Sequence, residues 1–118
     1  MSGKDRILLE SILDSIGSIR TFIGDRPIET LISDDLLLNA VVKKFENIGE
    51  ASNRLTPETK EAMPSVAWSD IIGMRNIMIH DYLGINPTVV MDSVINDISP
   101  LFATVTSHLA EYGNERTA

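Results

Sequence analysis

An all-α fold, an antiparallel four-helix bundle with one or two short extra helices, is what this sequence predicts. Three observations predict it. Apolar residues recur at three- and four-residue spacings in four long segments, which is the period of one helix face. No stretch alternates apolar and polar residues with period two for long enough to be a strand. The segments are joined by short connections rich in glycine, proline and capping side chains, so consecutive helices should turn back on one another.

The first helix should run from about Lys4 to Phe22, with Leu8, Ile12, Ile16, Ile19 and Ile23 on its inner face. Gly24-Asp25-Arg26-Pro27 ends it, because glycine permits a cap and proline cannot continue the ladder. Ile28 to Ile32 is long enough for a turn or two of helix. The second long helix is expected from about Asp35 to Leu55, capped by Asp34 or Asp35, with Leu37, Val41, Phe45, Ile48, Ser52 and Leu55 as its stripe. That spacing is close to the seam of a left-handed bundle. Thr56-Pro57-Glu58 reads as a new start, with a capping hydroxyl, proline in the first turn and an acid favoured by the dipole. Met63-Pro64 keeps that helix short.

A third long helix should begin near Trp68-Ser69-Asp70 and reach about His80, with Gly84 placed to let the chain turn. Asn86-Pro87 opens the fourth, whose stripe is Val90, Val94, Ile98, Leu101, Val105 and Leu109. Pro100 falls within that stripe and predicts a kink or a one-turn break. Residues 1–118 form one domain in this reading, with 113–118 a frayed tail.

Composition bounds the function. The chain has 118 residues, 43% of them hydrophobic and 23% charged, as in an ordinary globular protein. No run approaches the ~18 apolar residues of a membrane span, and no charged-then-apolar start resembles a signal peptide, so a cytoplasmic location is expected. The absence of cysteine excludes disulfides and thiolate metal sites. His80 and His108 are the two histidines and lie far apart in sequence, which argues against a histidine-based zinc site. The net charge of −7 argues against a broad basic face for nucleic acid. Action on nucleic acid would need a local site.

The stretch "RNIMIHDYLG" (75–84) is where such a site could lie. Arg75, Asn76, His80 and Tyr82 interrupt an apolar run, and burying them would cost free energy unless each found a partner. Successive helical residues turn by about 100°, so Arg75 and Tyr82 point nearly the same way, whereas Arg75 and His80 diverge by roughly 140°. They converge on one small group only if the helix unwinds near Asp81 or a second subunit supplies one of them. Two readings fit. In one, these side chains form an interhelical network with acids such as Glu46 and Glu50. In the other, they cleave a phosphodiester without a metal: histidine moves protons, while the forked arginine holds the phosphate and stabilises charge in the transition state.

Arg75, four residues, His80, one residue, Tyr82 matches the R-x4-H-x-Y motif of the HepT-like branch of the HEPN superfamily. "FENIGEASNRL" (45–55) resembles that family's second long helix with its I-G-E-A centre. "VAWSDIIGMRNIMIHDYLGIN" (66–86) resembles its tryptophan-led approach and motif helix, and "VINDISPLF" (94–102) its asparagine-aspartate turn before a proline. The resemblance covers most of the chain in the right order. It implies an HEPN-like bundle and a ribonuclease toxin of a type VII toxin–antitoxin system, paired with an MntA-like minimal nucleotidyltransferase antitoxin. Arg75 and His80 would be the catalytic pair, and Asn76 would help position the phosphate or the histidine. Tyr82 would accept AMP from the partner enzyme. The resemblance further implies a homodimer with a composite site at its interface, RNA as substrate, and no cofactor or metal. The alternative is a catalytically silent helical module that dimerises and docks a nucleotidyltransferase.

Among the remaining residues, Glu46 and Glu50 suit salt bridges with Arg75 or Arg54 better than acid-base catalysis. Gly49 and Gly73 should permit close helix contact, Trp68 should anchor the core or lead in its helix, and His108 should sit near a helix C-terminus.

Overall fold

A computed structural model describes residues 1–80 and 83–117, with 113–117 described by their backbone only. The first helix, α1 (Gly3–Ile23), starts where the Ser2 hydroxyl accepts the amide of Asp5 at 3.1 Å. It ends at Gly24, whose φ of 58° is open to glycine and whose N–H reaches the Arg20 carbonyl at 2.9 Å. The short α2 (Thr30–Ser33) follows, and α3 (Asp35–Arg54) begins on Asp34, whose carboxylate caps the Leu37 amide at 3.1 Å. Arg26 pins this corner by donating to the carbonyls of Phe22 and Ile23 and pairing with Asp34 at 3.4 Å.

Thr56 caps α4 (Pro57–Glu61), and α5 (Trp68–Met78) follows after an irregular link. Two strands of two residues each, β1 (Ile79–His80) and β2 (Gly84–Ile85), then pair antiparallel, with Ile79 opposite Ile85 and His80 opposite Gly84. Asn86 caps α6 (Pro87–Asn96) with its side chain on the amides of Thr88 and Val89, and α7 (Ile98–Thr117) completes the chain.

Helices α1, α3, α5 and α7 pack antiparallel. Particular contacts fix the directions. Asp5 at the start of α1 meets Thr56 just past the end of α3, and Arg20 late in α1 reaches Ser99 early in α7 at 3.2 Å. The predicted stripes are the ones that face inward. Leu8, Ile12, Ile16, Ile19 and Ile23 of α1 are buried, as are Leu37, Val41, Phe45, Ile48, Ser52 and Leu55 along and just beyond α3. Burial of each apolar side chain among these stabilises the fold by about 1.5–3 kcal/mol, and this apolar seam is the main source of its cohesion.

Four expectations need correction. The third long helix stops at Met78, two residues short of His80, and a small hairpin stands where no strand was expected. Ile79 is extended at φ −115° and ψ 122°, as suits a β-branched residue, and Gly84 holds a φ of 76° opposite His80. The hairpin is closed by Asn86, whose amide donates to the Met78 carbonyl at 2.7 Å. The predicted break in the fourth segment does occur, at Asp97, so Pro100 sits third in α7, where its missing N–H leaves no ladder bond unmade. Gly73 makes no close helix contact, since a Cβ there would meet nothing within 4 Å. His108 lies mid-way along α7 rather than at its end, because the helix continues to Thr117.

Candidate active site

The α3–α5 contact sets the site. A Cβ on Gly49 would lie 3.3 Å from the carbonyl oxygens of both Ile71 and Ile72, so only a glycine lets these two helices approach this closely without a shift. One turn further along α5 is Arg75, and one turn back along α3 is Glu46. Their side chains pair, Arg75 Nε to Glu46 Oε1, at 3.6 Å. Trp68 leads in α5 from below, buried in the core with its indole N–H donating to the Lys60 carbonyl at 3.1 Å.

Within α5 the apolar residues Ile71, Met74 and Met78 take the core, and the polar residues of the motif do not. Arg75, Asn76 and His80 all face solvent. Expecting them to be buried in an interhelical network is therefore wrong for Asn76 and His80. Among the described residues the Arg75 guanidinium pairs with Glu46, and the side chains of Asn76 and His80 take no hydrogen bond or ion pair.

The unwinding of α5 changes the geometry of the pair. On a continuous helix Arg75 and His80 would point roughly 140° apart. With the helix closed at Met78 and His80 carried on β1, that constraint is gone. Arg75 lies in the last turn of α5, its carbonyl accepting the Ile79 amide, and His80 stands on the hairpin five residues later. Tyr82 lies outside the described residues.

Large apolar side chains surround the motif in the open. Leu83, three residues after His80, is 86% exposed, and Ile77, two residues after Arg75, is 58% exposed. A groove of about 830 Å³ runs along the other side of α5, between α5, α6 and α7, over Ile71, Met74 and Leu101. Ile77 is on its wall, and Arg75, Asn76 and His80 are not. Among the described residues no group of three or more His, Asp and Glu side chains gathers as a metal site, and no helix is long and apolar enough to cross a membrane.

An exposed arginine and histidine at the end of one helix, in this sequence context, can be set against known proteins. The sequence profile of the Ribonuclease HepT-like family matches residues 12–107. The chain belongs to the HepT-like ribonuclease family. Its relatives include the Methanocaldococcus jannaschii protein named "Putative RNase MJ1380", 33% identical over 99 residues that cover 83% of this chain and 91% of the relative. A Caldanaerobacter subterraneus subsp. tengcongensis protein, "Putative RNase TTE0752", is 32% identical over 81% of this chain and 86% of its own length. "Probable ribonuclease HepT" of Thermococcus cleftensis is 32% identical over 79% of this chain and 84% of its own. No solved structure matches at a significant level.

Sequence reasoning missed one buried charged residue of the fold. Asp5 has no exposed surface, and its carboxylate accepts from the Thr56 amide at 3.2 Å and from the hydroxyls of Thr56 and Thr59. Burial alone would push its carboxyl up. The hydrogen bonds from Thr56 and Thr59, helped by Lys4, outweigh that and hold it below the usual carboxylate range. Asp5 ties α1 to the start of α4 and is structural.

Proposed function

We propose that this chain is a metal-independent endoribonuclease and the toxin of a toxin–antitoxin pair. The observation that carries the reading is the exposure of Arg75 and His80 on either side of the point where α5 unwinds, in a HepT-like ribonuclease. His80 takes the proton from a ribose 2′-hydroxyl as that oxygen bonds to phosphorus, and a proton is returned to the departing 5′-oxygen. Arg75 holds the phosphate through its fork and stabilises the charge that grows on the equatorial oxygens. Asn76, exposed beside Arg75, adds an amide donor for the phosphate or for His80.

In this reading a second copy of the chain covers the apolar side chains that flank the motif. Leu83, large and exposed three residues beyond His80, is the apolar side chain of this stretch that such a partner would cover. A twofold dimer would bring two copies of Arg75 and His80 to one cleft and concentrate cationic charge that a chain of net charge −7 otherwise lacks. Tyr82 is the acceptor for AMP that an MntA-like nucleotidyltransferase partner transfers from ATP, with pyrophosphate as the leaving group. The phosphodiester formed on its oxygen adds bulk and negative charge where an RNA phosphate must enter.

Two measurements test this. His80→Ala should lose RNA cleavage and growth arrest while keeping its helical circular dichroism; equal cleavage by variant and wild type would remove the ribonuclease assignment. Intact mass after incubation with the partner enzyme and ATP should rise in AMP-sized steps in wild type and not in Tyr82→Phe. Steps that persist in Tyr82→Phe would place the modification elsewhere.

A further inference from the structure

The geometry points to Glu46 as a positioning residue that presents Arg75 to the RNA phosphate. The inference rests on the reading of Arg75 as the phosphate ligand and names what holds it in place.

A guanidinium offers two forked edges, one with Nε and one terminal nitrogen, the other with both terminal nitrogens. Glu46 stands at the first, with its Oε1 3.6 Å from Nε. The terminal edge is the one that grips a phosphate with two parallel hydrogen bonds. A carboxylate at the Nε side and a phosphate at the terminal side do not compete. The acid therefore limits the swing of a long side chain that would otherwise sample many rotamers, and it does so before substrate arrives.

The pairing follows from the packing of two helices. Gly49 brings α3 against the Ile71 and Ile72 carbonyls, with 3.3 Å left to a Cβ position. That close approach fixes the antiparallel register in which the residue three before Gly49 faces the residue three or four beyond Ile71 and Ile72. Those residues are Glu46 and Arg75. The main chain at Arg75 is also held, because its carbonyl accepts the Ile79 amide at the helix end.

Stability does not explain the pair. The Arg75 side chain is 56% exposed and that of Glu46 is 32% exposed, and ion pairs this open contribute little to folding in water. An acid with little to add to stability, placed beside the one arginine the chemistry needs, has its effect on where that arginine points.

The test is steady-state cleavage of a defined RNA by the full-length chain as wild type, Glu46→Ala, Glu46→Gln and His80→Ala. Glu46→Ala should lower kcat by about tenfold to a hundredfold, because a misplaced reacting group costs rate more than binding. KM should change by less than about threefold, and the melting temperature by only a few degrees. Glu46→Gln, whose amide oxygen keeps an acceptor beside Nε, should restore most of the lost rate. Unchanged kcat in Glu46→Ala beside an active wild type overturns the inference while leaving the ribonuclease reading in place. A fall in melting temperature with kcat unchanged overturns it equally, since that marks a purely structural acid. A wild type no more active than His80→Ala removes the reading beneath it and the inference with it.

Discussion

Asp5 and Arg75 are both charged and both partnered, Asp5 in the core by neutral donors and Arg75 at the surface by a carboxylate. Asp5, fully buried with three donors, is part of the frame. Removing its carboxylate strands the Thr56 amide and two hydroxyls, so Asp5→Ala should lose about 2–4 kcal/mol in urea unfolding at neutral pH. Its pKa is lowered in the folded chain, so the stability it contributes is present above the unfolded carboxyl value and is lost as pH falls through the folded one. Wild type should therefore lose stability below about pH 4, and Asp5→Asn, less stable at neutrality, should show a flatter decline there. A decline identical in the two would place the acid sensitivity elsewhere. The Arg75 pairing with an acid on α3 was legible, because Glu46 lies among the acids of that helix. Asp5 was not, since its partners lie 51 and 54 residues away and no spacing rule links them. The exposure of Asn76 and His80 was also missed: an apolar run containing polar residues looks buried on both faces, whereas Asn76 stands on the solvent face of α5 and His80 lies beyond the helix end.

The long elements follow their apolar stripes because a helix hides one face and the 3.6-residue period marks it. The hairpin was illegible for the converse reason. Two residues per strand show no alternation, and Ile77, Met78 and Ile79 fit the end of a helix as well as a bend out of it. Gly84 carried the available signal, a turn position in the sequence that proves to be a hairpin position with φ 76°. Nothing lies within 4 Å of a Cβ there, so Gly84→Ala tests conformation without a clash. It should cost about 1–2 kcal/mol by calorimetry, from strain at positive φ. It should also lower cleavage further than that loss explains, because His80 pairs directly across from Gly84. Unchanged cleavage would mean that the hairpin does not position the histidine. Pro100, conspicuous inside an apolar stripe, proves to be a helix-start residue, displaced from the break by one turn.

At the scale of the molecule, a bundle of antiparallel helices leaves an arginine and a histidine of this acidic chain exposed at and just beyond the end of one helix. The helices bury the apolar stripes and leave one end of α5 to display Arg75 and His80 beside exposed Ile77 and Leu83. The bundle was legible from four periodic segments and short connections. Whether two copies share a site was not, because one chain specifies its own core and only hints at what covers its surface. Mixing Arg75→Ala and His80→Ala chains decides this. If each site takes its arginine from one subunit and its histidine from the other, mixed dimers carry one intact site and should recover about a quarter of wild-type activity from two inactive parents, half of the molecules being mixed and each with one site of two. No recovery would place both residues of a site on the same chain.

The central claim is that the chain's own side chains, Arg75 and His80, carry the chemistry of RNA cleavage. It is tested most directly by the cleavage rate of purified wild type and His80→Ala in excess chelator. The account predicts a wild-type rate unchanged by the chelator and at least about a hundredfold above that of the variant, the range general acid–base catalysis contributes. Cleavage abolished by the chelator, or equal in the two proteins, would contradict it.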